Sequence, residues 1–394
     1  MDKCSRFCDS GQNARNQCGR RVLNSRQLDR YNKLEDILKT VKQFLRSRIL
    51  LASSLMISPL FPVHVIAADF MPSYHADVSE TSVSGISSGA YMAVQFHVAY
   101  SSMVKGVGVI AGGPYNCAEG SAIRATRNCM KPNSSQPVPD VKALAAMTDE
   151  LARSGDIDNP ANLKKSKVWL FSGTEDTIVK KPVMDALHQY YRHYVSADNI
   201  YYKQDLPAGH GMVVENKTAS ACSTNASPFI NDCSYDAAGH LLEHTYGSLN
   251  SPSRTLTGKF VQFDQREFLD GDAYSHSMRD SGFAYIPASC ATTRCRVHVA
   301  LHGCQQHFDA VGDQFYKEAG YNEWADSNNI IVLYPQTIAR FGWNWKVFWT
   351  WNYVINPNAC WDWWGYDDTG YYTKSGSQMM AIKKMVDRLG TGRK

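Results

Sequence analysis

Apolar positions along this chain follow two periods. Short runs with strand character fall at 77–84, 107–111, 168–171, 200–204, 296–301 and 330–335. They are rich in Val, Ile, Phe, Trp and Tyr, and most end at Gly, Ser or Pro, which predicts buried strands closed by turns. Patterns of helical period fall at 90–100, 141–153, 183–194, 315–328 and 377–389; the last places Met379, Ile382, Met385, Val386 and Leu389 on one face. Strands that alternate with helices imply a mostly parallel sheet covered by helices on both faces. The pattern weakens over 212–285, where no element is assigned. No repeat, low-complexity linker or separate C-terminal module interrupts 69–394, which reads as one α/β domain with a full core.

The first 68 residues read differently. They carry 12 Lys and Arg against 5 Asp and Glu, whereas the remainder carries 29 against 32. Charge leads into Arg46-Ser47-Arg48, then an apolar stretch to Ala67-Ala68 interrupted by Pro59, Pro62 and His64. Positive, then apolar, then small is the order of a secretory signal, and the prolines argue against a membrane anchor. The expectation is a protein secreted to the extracellular space or periplasm, monomeric, with no stable membrane insertion after processing. A nearly neutral folded part lacks the basic stripe of a nucleic-acid binder.

Cysteine usage agrees with export. Beyond the lead stand eight cysteines in close pairs, and the expected disulfides are Cys117–Cys129, Cys222–Cys233, Cys290–Cys295 and Cys304–Cys360, one of 105 connectivities. No CxxC pair with a neighbouring His pair suggests zinc; neither a metal nor a cofactor is expected.

The candidate chemistry starts at Gly85-Ile86-Ser87-Ser88-Gly89, a GxSxG nucleophile elbow in which a serine stands on a sharp strand-to-helix turn. Two later strand ends offer Asp176, in Ser172-Gly173-Thr174-Glu175-Asp176-Thr177, and His210, between Gly209 and Gly211. Ser, Asp, His is the α/β-hydrolase triad order. His210 would take the serine proton, and Asp176 would fix the imidazole tautomer and stabilise its cation. Glu175 and Asp205 are alternative acids; His240, His244, His302 and His307 compete for the base. One oxyanion donor should be the Ser88 N–H. The other normally lies on a His-Gly loop after an earlier strand, but His302-Gly303 follows the triad. If 297–301 is that strand, the fold is a circularly permuted α/β-hydrolase, the Cys304 N–H is the second donor, and a Cys304–Cys360 disulfide pins the loop.

Three segments now carry a resemblance: Gly85-Ile86-Ser87-Ser88-Gly89-Ala90-Tyr91-Met92, Leu301-His302-Gly303-Cys304-Gln305-Gln306, and Asn356-Pro357-Asn358-Ala359-Cys360-Trp361-Asp362-Trp363-Trp364-Gly365-Tyr366. Over about 75–390 the chain resembles the poly(3-hydroxybutyrate) depolymerase family in its circularly permuted, single-domain form. The resemblance implies catalytic Ser87, Asp176 and His210, oxyanion N–H groups on Ser88 and Cys304, and a substrate-lining Trp361. Trp363 and His302 complete the expected substrate-binding set. Gly211-Met212-Val213-Val214 departs from relatives, which often carry a small-aromatic-Pro run there, and puts the local pocket wall in question.

Seven of the nine tryptophans fall between Trp343 and Trp364, an aromatic density that suits an apolar groove for an insoluble polyester. The leading reading is a serine esterase acting on polyhydroxyalkanoates. The alternatives are a feruloyl or acetyl carbohydrate esterase on the same fold, and a non-catalytic surface-binding protein on that scaffold. Asn133-x-Ser135, Asn216-x-Thr218 and Asn225-x-Ser227 are glycosylation acceptors in a source that modifies them.

Overall fold

The computed structural model describes residues 69–344 and 352–392. The lead at 1–68, expected to be secretory, lies outside them, as do Trp345, Trp349, Trp351 and the side chain of Trp343.

Eight strands form the central sheet: β1 (Asp77–Ile86), β2 (Val104–Ile110), β3 (Lys167–Phe171), β4 (Ile200–Lys203), β5 (Lys259–Asp264), β6 (Ser281–Ile286), β7 (Arg296–Leu301) and β8 (Ile330–Tyr334). Their spatial order is β4-β3-β2-β1-β7-β8-β6-β5. All neighbours from β4 to β8 are parallel; β6 runs antiparallel to both β8 and β5. The chain therefore starts in the middle of its sheet, builds outward to β4, crosses to the far edge at β5 and returns. β7 closes against β1 with Gly85 opposite Leu301. The strand bearing His302-Gly303 thus lies beside the nucleophile strand although it comes about 210 residues later, the permuted arrangement expected from the order of motifs.

Central position explains composition. The last six residues of β1 and all but the first of β7 are buried, as strands covered on both faces must be. Helix α1 (Ser88–Ala99) follows Ser87, and all twelve of its residues are buried, so it is apolar all round instead of amphipathic. Helices α2 (Val141–Ser154), α3 (Lys181–Tyr194) and α4 (Ala237–Tyr246) have one buried face each, and α5 (Tyr321–Asn328) packs on β8. The final helix α6 (Ser377–Gly390) buries Met379, Ile382, Met385, Val386 and Leu389 and packs against β1 and α1.

Two expectations fail. The helix foreseen over 315–328 is two, Gln314–Glu318 and α5, because Gly320 adopts φ +84° between them. The segment 212–285 is not irregular throughout: it supplies α4, β5 and β6. β5 is the partly exposed sheet edge and carries Lys259 and Gln262, while β6, buried between β8 and β5, opens on Ser281 and Gly282, so neither reads as a continuously apolar run.

Below the elbow, a buried polar cluster ties β1 to β7. His298 hydrogen-bonds Ser82 Oγ through Nδ1 (2.6 Å) and Ser84 Oγ through Nε2 (2.8 Å), and those hydroxyls reach Tyr246 and Tyr321. Full burial holds the His298 pKa down to about 3, so the ring is neutral.

Candidate active site

Ser87 ends β1 with φ +56° and ψ −123°, a conformation that costs a non-glycine residue about 1–3 kcal/mol and that lifts its side chain out of the turn. The flanking glycines permit that turn. A Cβ on Gly85 would stand 2.2 Å from the Gly89 carbonyl oxygen, and one on Gly89 would stand 2.3 Å from Leu301 O and 2.4 Å from His302 O. Gly89 is thus where α1 touches the end of β7.

Asp176 and His210 come together on the adjoining loops after β3 and β4. His210 Nδ1 lies 2.9 Å from Asp176 Oδ2, and both residues are about 95% buried. A carboxylate only accepts, so Nδ1 carries a proton, the tautomer that in a neutral ring leaves Nε2 as the acceptor. Asp176 Oδ1 accepts the N–H groups of Ile178 (2.8 Å) and Val179 (2.9 Å). Of the alternative acids, Glu175 is exposed and Asp205 pairs with Lys203 at the surface. Among the competing histidines, His240 is exposed and His244 Nε2 hydrogen-bonds the Asn199 carbonyl. His307 lies on the loop beyond β7, its pKa lowered by burial.

The His302–Cys304 loop abuts the elbow: a Cβ on Gly303 would sit 3.2 Å from Ser87 Cβ. Gly303 N–H donates to Gln306 Oε1 (2.7 Å) and Gln305 N–H to Asn358 O (2.7 Å). The N–H between them, on Cys304, has no partner among the described residues. Ser88 opens α1, where the turn has no carbonyl to offer its N–H. Cys304 is disulfide-bonded to Cys360. The other three bonds join Cys117 to Cys129, Cys222 to Cys233 and Cys290 to Cys295, as the spacing suggests.

Two residues expected to face substrate do not. His302 is fully buried: Nδ1 donates to Gly303 O (2.7 Å), and Nε2 faces the Thr337 N–H and hydroxyl, both at 3.3 Å. Burial lowers its pKa to about 3. Trp361 is also fully buried, with Nε1 donating to His302 O (3.0 Å) and its ring 5.4 Å from that imidazole. Both brace the His302–Cys304 loop from behind.

Trp363 does reach the site. Its ring stacks on Tyr91 at 3.9 Å, and together with Trp364 they line a cleft of about 790 Å³ whose wall also holds Ser87, Ser88, His210 and Cys304. Ile178, Val179, Phe229 and Ile355 give the rest of the wall its apolar character. Tyr91 follows the nucleophile by one helical turn, a signal present in the sequence; Phe229 and Ile355 are brought in only by the fold. The departing segment Met212–Val214 forms a short buried strand beside Ile230–Asp232 and stands behind the cleft wall.

No protein-family model matches the chain. A poly(3-hydroxybutyrate) depolymerase of Delftia acidovorans is 46% identical over 83% of the chain, which spans 63% of that protein's length. A polyhydroxybutyrate depolymerase of Talaromyces funiculosus is 36% identical over 83% of the chain and 94% of its own length. The crystal structure of PHB depolymerase from Penicillium funiculosum and that of a PHB depolymerase serine-to-alanine variant complexed with an R3HB trimer each superpose with a TM-score of 0.73 at 34% identity, covering 82% of this chain and all of that one. With such likeness extending over nearly the whole of two relatives, the chain belongs to the polyhydroxybutyrate depolymerase family.

Proposed function

We propose that this protein is a secreted serine esterase that hydrolyses the ester bonds of poly(3-hydroxybutyrate) and its oligomers. The observation that carries the reading is the meeting, in one apolar cleft, of Ser87 on its strained elbow with the buried His210–Asp176 pair. In this mechanism His210 Nε2 takes the Ser87 proton as Oγ attacks the ester carbonyl. The N–H groups of Ser88 and Cys304 hold the developing oxyanion, each contributing about 3–4 kcal/mol to the transition state. The His210 imidazolium then protonates the departing alkoxide, and a water deprotonated by His210 releases the acyl group from Ser87.

The cleft also suits this substrate chemically. A polyester chain is largely apolar between its ester groups, and away from Ser87 the cleft meets it with Ile178, Val179, Phe229, Ile355 and the Trp363 and Trp364 rings. Four disulfides fit an oxidising destination, and no helix among the described residues is long and apolar enough to cross a membrane. Clearing of a turbid poly(3-hydroxybutyrate) suspension tests the reading. The parent protein should clear it, and a Ser87→Ala protein that still clears it would sink the mechanism.

A further inference from the structure

From the same cleft we infer that Asn225 is a positioning residue for the acid and the base. This rests on the triad reading above. Its amide uses its full hydrogen-bonding capacity on the two loops that carry them. Oδ1 accepts the N–H of His210 (2.9 Å) and the N–H of Thr177 (2.9 Å), the residue after Asp176. Nδ2 donates to the carbonyl of Glu175 (3.1 Å), the residue before Asp176, and to Ser223 O (3.0 Å). One side chain therefore brackets Asp176 on both sides and holds the backbone of His210.

No strand or helix pairing reaches the N–H groups of Thr177 and His210. Thr174 N–H to Leu206 O and Glu175 N–H to Ala208 O join the loops further back, and Gly209 N–H to Cys222 O (2.8 Å) and Met212 N–H to Phe229 O (2.7 Å) flank the base, but the N–H groups of Thr177 and His210 themselves go to Asn225. Asn225 is itself well anchored. It lies inside the loop closed by Cys222–Cys233, and Asn231 Nδ2 donates to both Cys222 O and Thr224 O. The side-chain chemistry is specific: aspartate could accept both N–H groups but donate neither bond, and alanine does neither. A glycan on Nδ2 would be incompatible with the two donated bonds, so Asn225-Ala226-Ser227 works here as a scaffold and not as an acceptor sequon.

The test measures a chromogenic short-chain ester with the full chain, counting competent sites by titration with a serine-directed phosphonate. Asn225→Ala should lower kcat per titrated site by ~10- to 100-fold, the penalty for displacing a reacting group by about 1 Å, while KM stays within about twofold. Asn225→Asp, which keeps both acceptors, should fall between Asn225→Ala and the parent. A merely structural role would lower the melting temperature or the number of titratable sites and leave kcat per site unchanged; that result overturns the assignment. Should Asn225→Ala fail to fold, Asn225→Asp decides alone, and a parental kcat per site refutes it. Ser87→Ala separates the two levels. Activity there removes the triad itself, whereas an inert Ser87→Ala with a parental Asn225→Asp removes only the role of Asn225.

Discussion

The sharpest geometric prediction concerns Gly89→Ala. The added methyl would meet Leu301 O at 2.3 Å and His302 O at 2.4 Å, both main-chain atoms that cannot rotate away. A carbon beside a carbonyl oxygen needs at least about 3 Å, so α1 and the end of β7 must part by roughly 0.6–1 Å. Ser88 rides on one side of that gap and Cys304 on the other, two residues past His302. Oxyanion donors act at about 2.7–3.1 Å, and losing one costs ~10²- to 10³-fold in kcat. The forced overlap should also destabilise the fold by about 1–3 kcal/mol. Steady-state hydrolysis of a soluble ester gives kcat, and urea unfolding gives stability. A folded Gly89→Ala protein with kcat within about threefold of the parent would refute the claim that this contact sets the oxyanion site.

Acid should unfold this protein through its buried histidines. Burial holds His97, His298 and His302 at about 3, whereas the unfolded chain titrates them near about 6.5. Between those values the unfolded state binds more protons, so their contribution to stability is complete above about 6.5 and is lost as pH falls. Asp362 has the opposite sign: burial and the Asp367 charge raise it to about 7, which favours the fold as pH drops from about 7 toward 4. The net slope is about two protons, or ~2.7 kcal/mol per pH unit, before the smaller contributions of His188, His244 and His307. Urea midpoints at pH 7, 6 and 5 measure it; a midpoint constant or rising toward pH 5 contradicts it. Replacing Cys304 and Cys360 together by Ser removes a bond across 56 residues, worth about 4 kcal/mol by loop closure, and should lower kcat as the oxyanion loop loosens. A stability loss under about 1 kcal/mol would show that Trp361 and Gln306 suffice to hold the loop.

What could be read from the sequence was whatever is local. GxSxG is a steric requirement written within five residues, and Asp176 and His210 sit just past apolar runs that end in turns. Separations of 12, 11 and 5 residues carried three of the disulfides in the same way, whereas Cys304–Cys360, 56 residues apart, was the pair left over. Facing direction was not local. His302 and Trp361 adjoin Cys304 and Cys360, yet both point behind the loop, because a residue's place in a motif does not say which side of the loop its side chain takes. β5 escaped notice because partial cover at the sheet edge permits polar residues, and the buried β6 because Ser281 and Gly282 leave only four apolar residues in its run. Asn225 was legible only as a sequon, since its four hydrogen bonds run to residues 2 to 50 positions away and exist only once both loops have formed.

The permuted sheet also has a consequence in time. A chain that emerges N-terminus first completes β1 and the nucleophile early, but β7 follows about 210 residues later. At synthesis rates of about 5–20 residues per second that interval is roughly 10–40 s. Throughout it, β1 presents one unpaired edge, a template for pairing with other chains unless a chaperone shields it. A nascent or truncated chain ending before Arg296 already holds Ser87, Asp176 and His210 yet lacks Cys304, so under the proposed mechanism the site is completed only when the last third of the chain has folded.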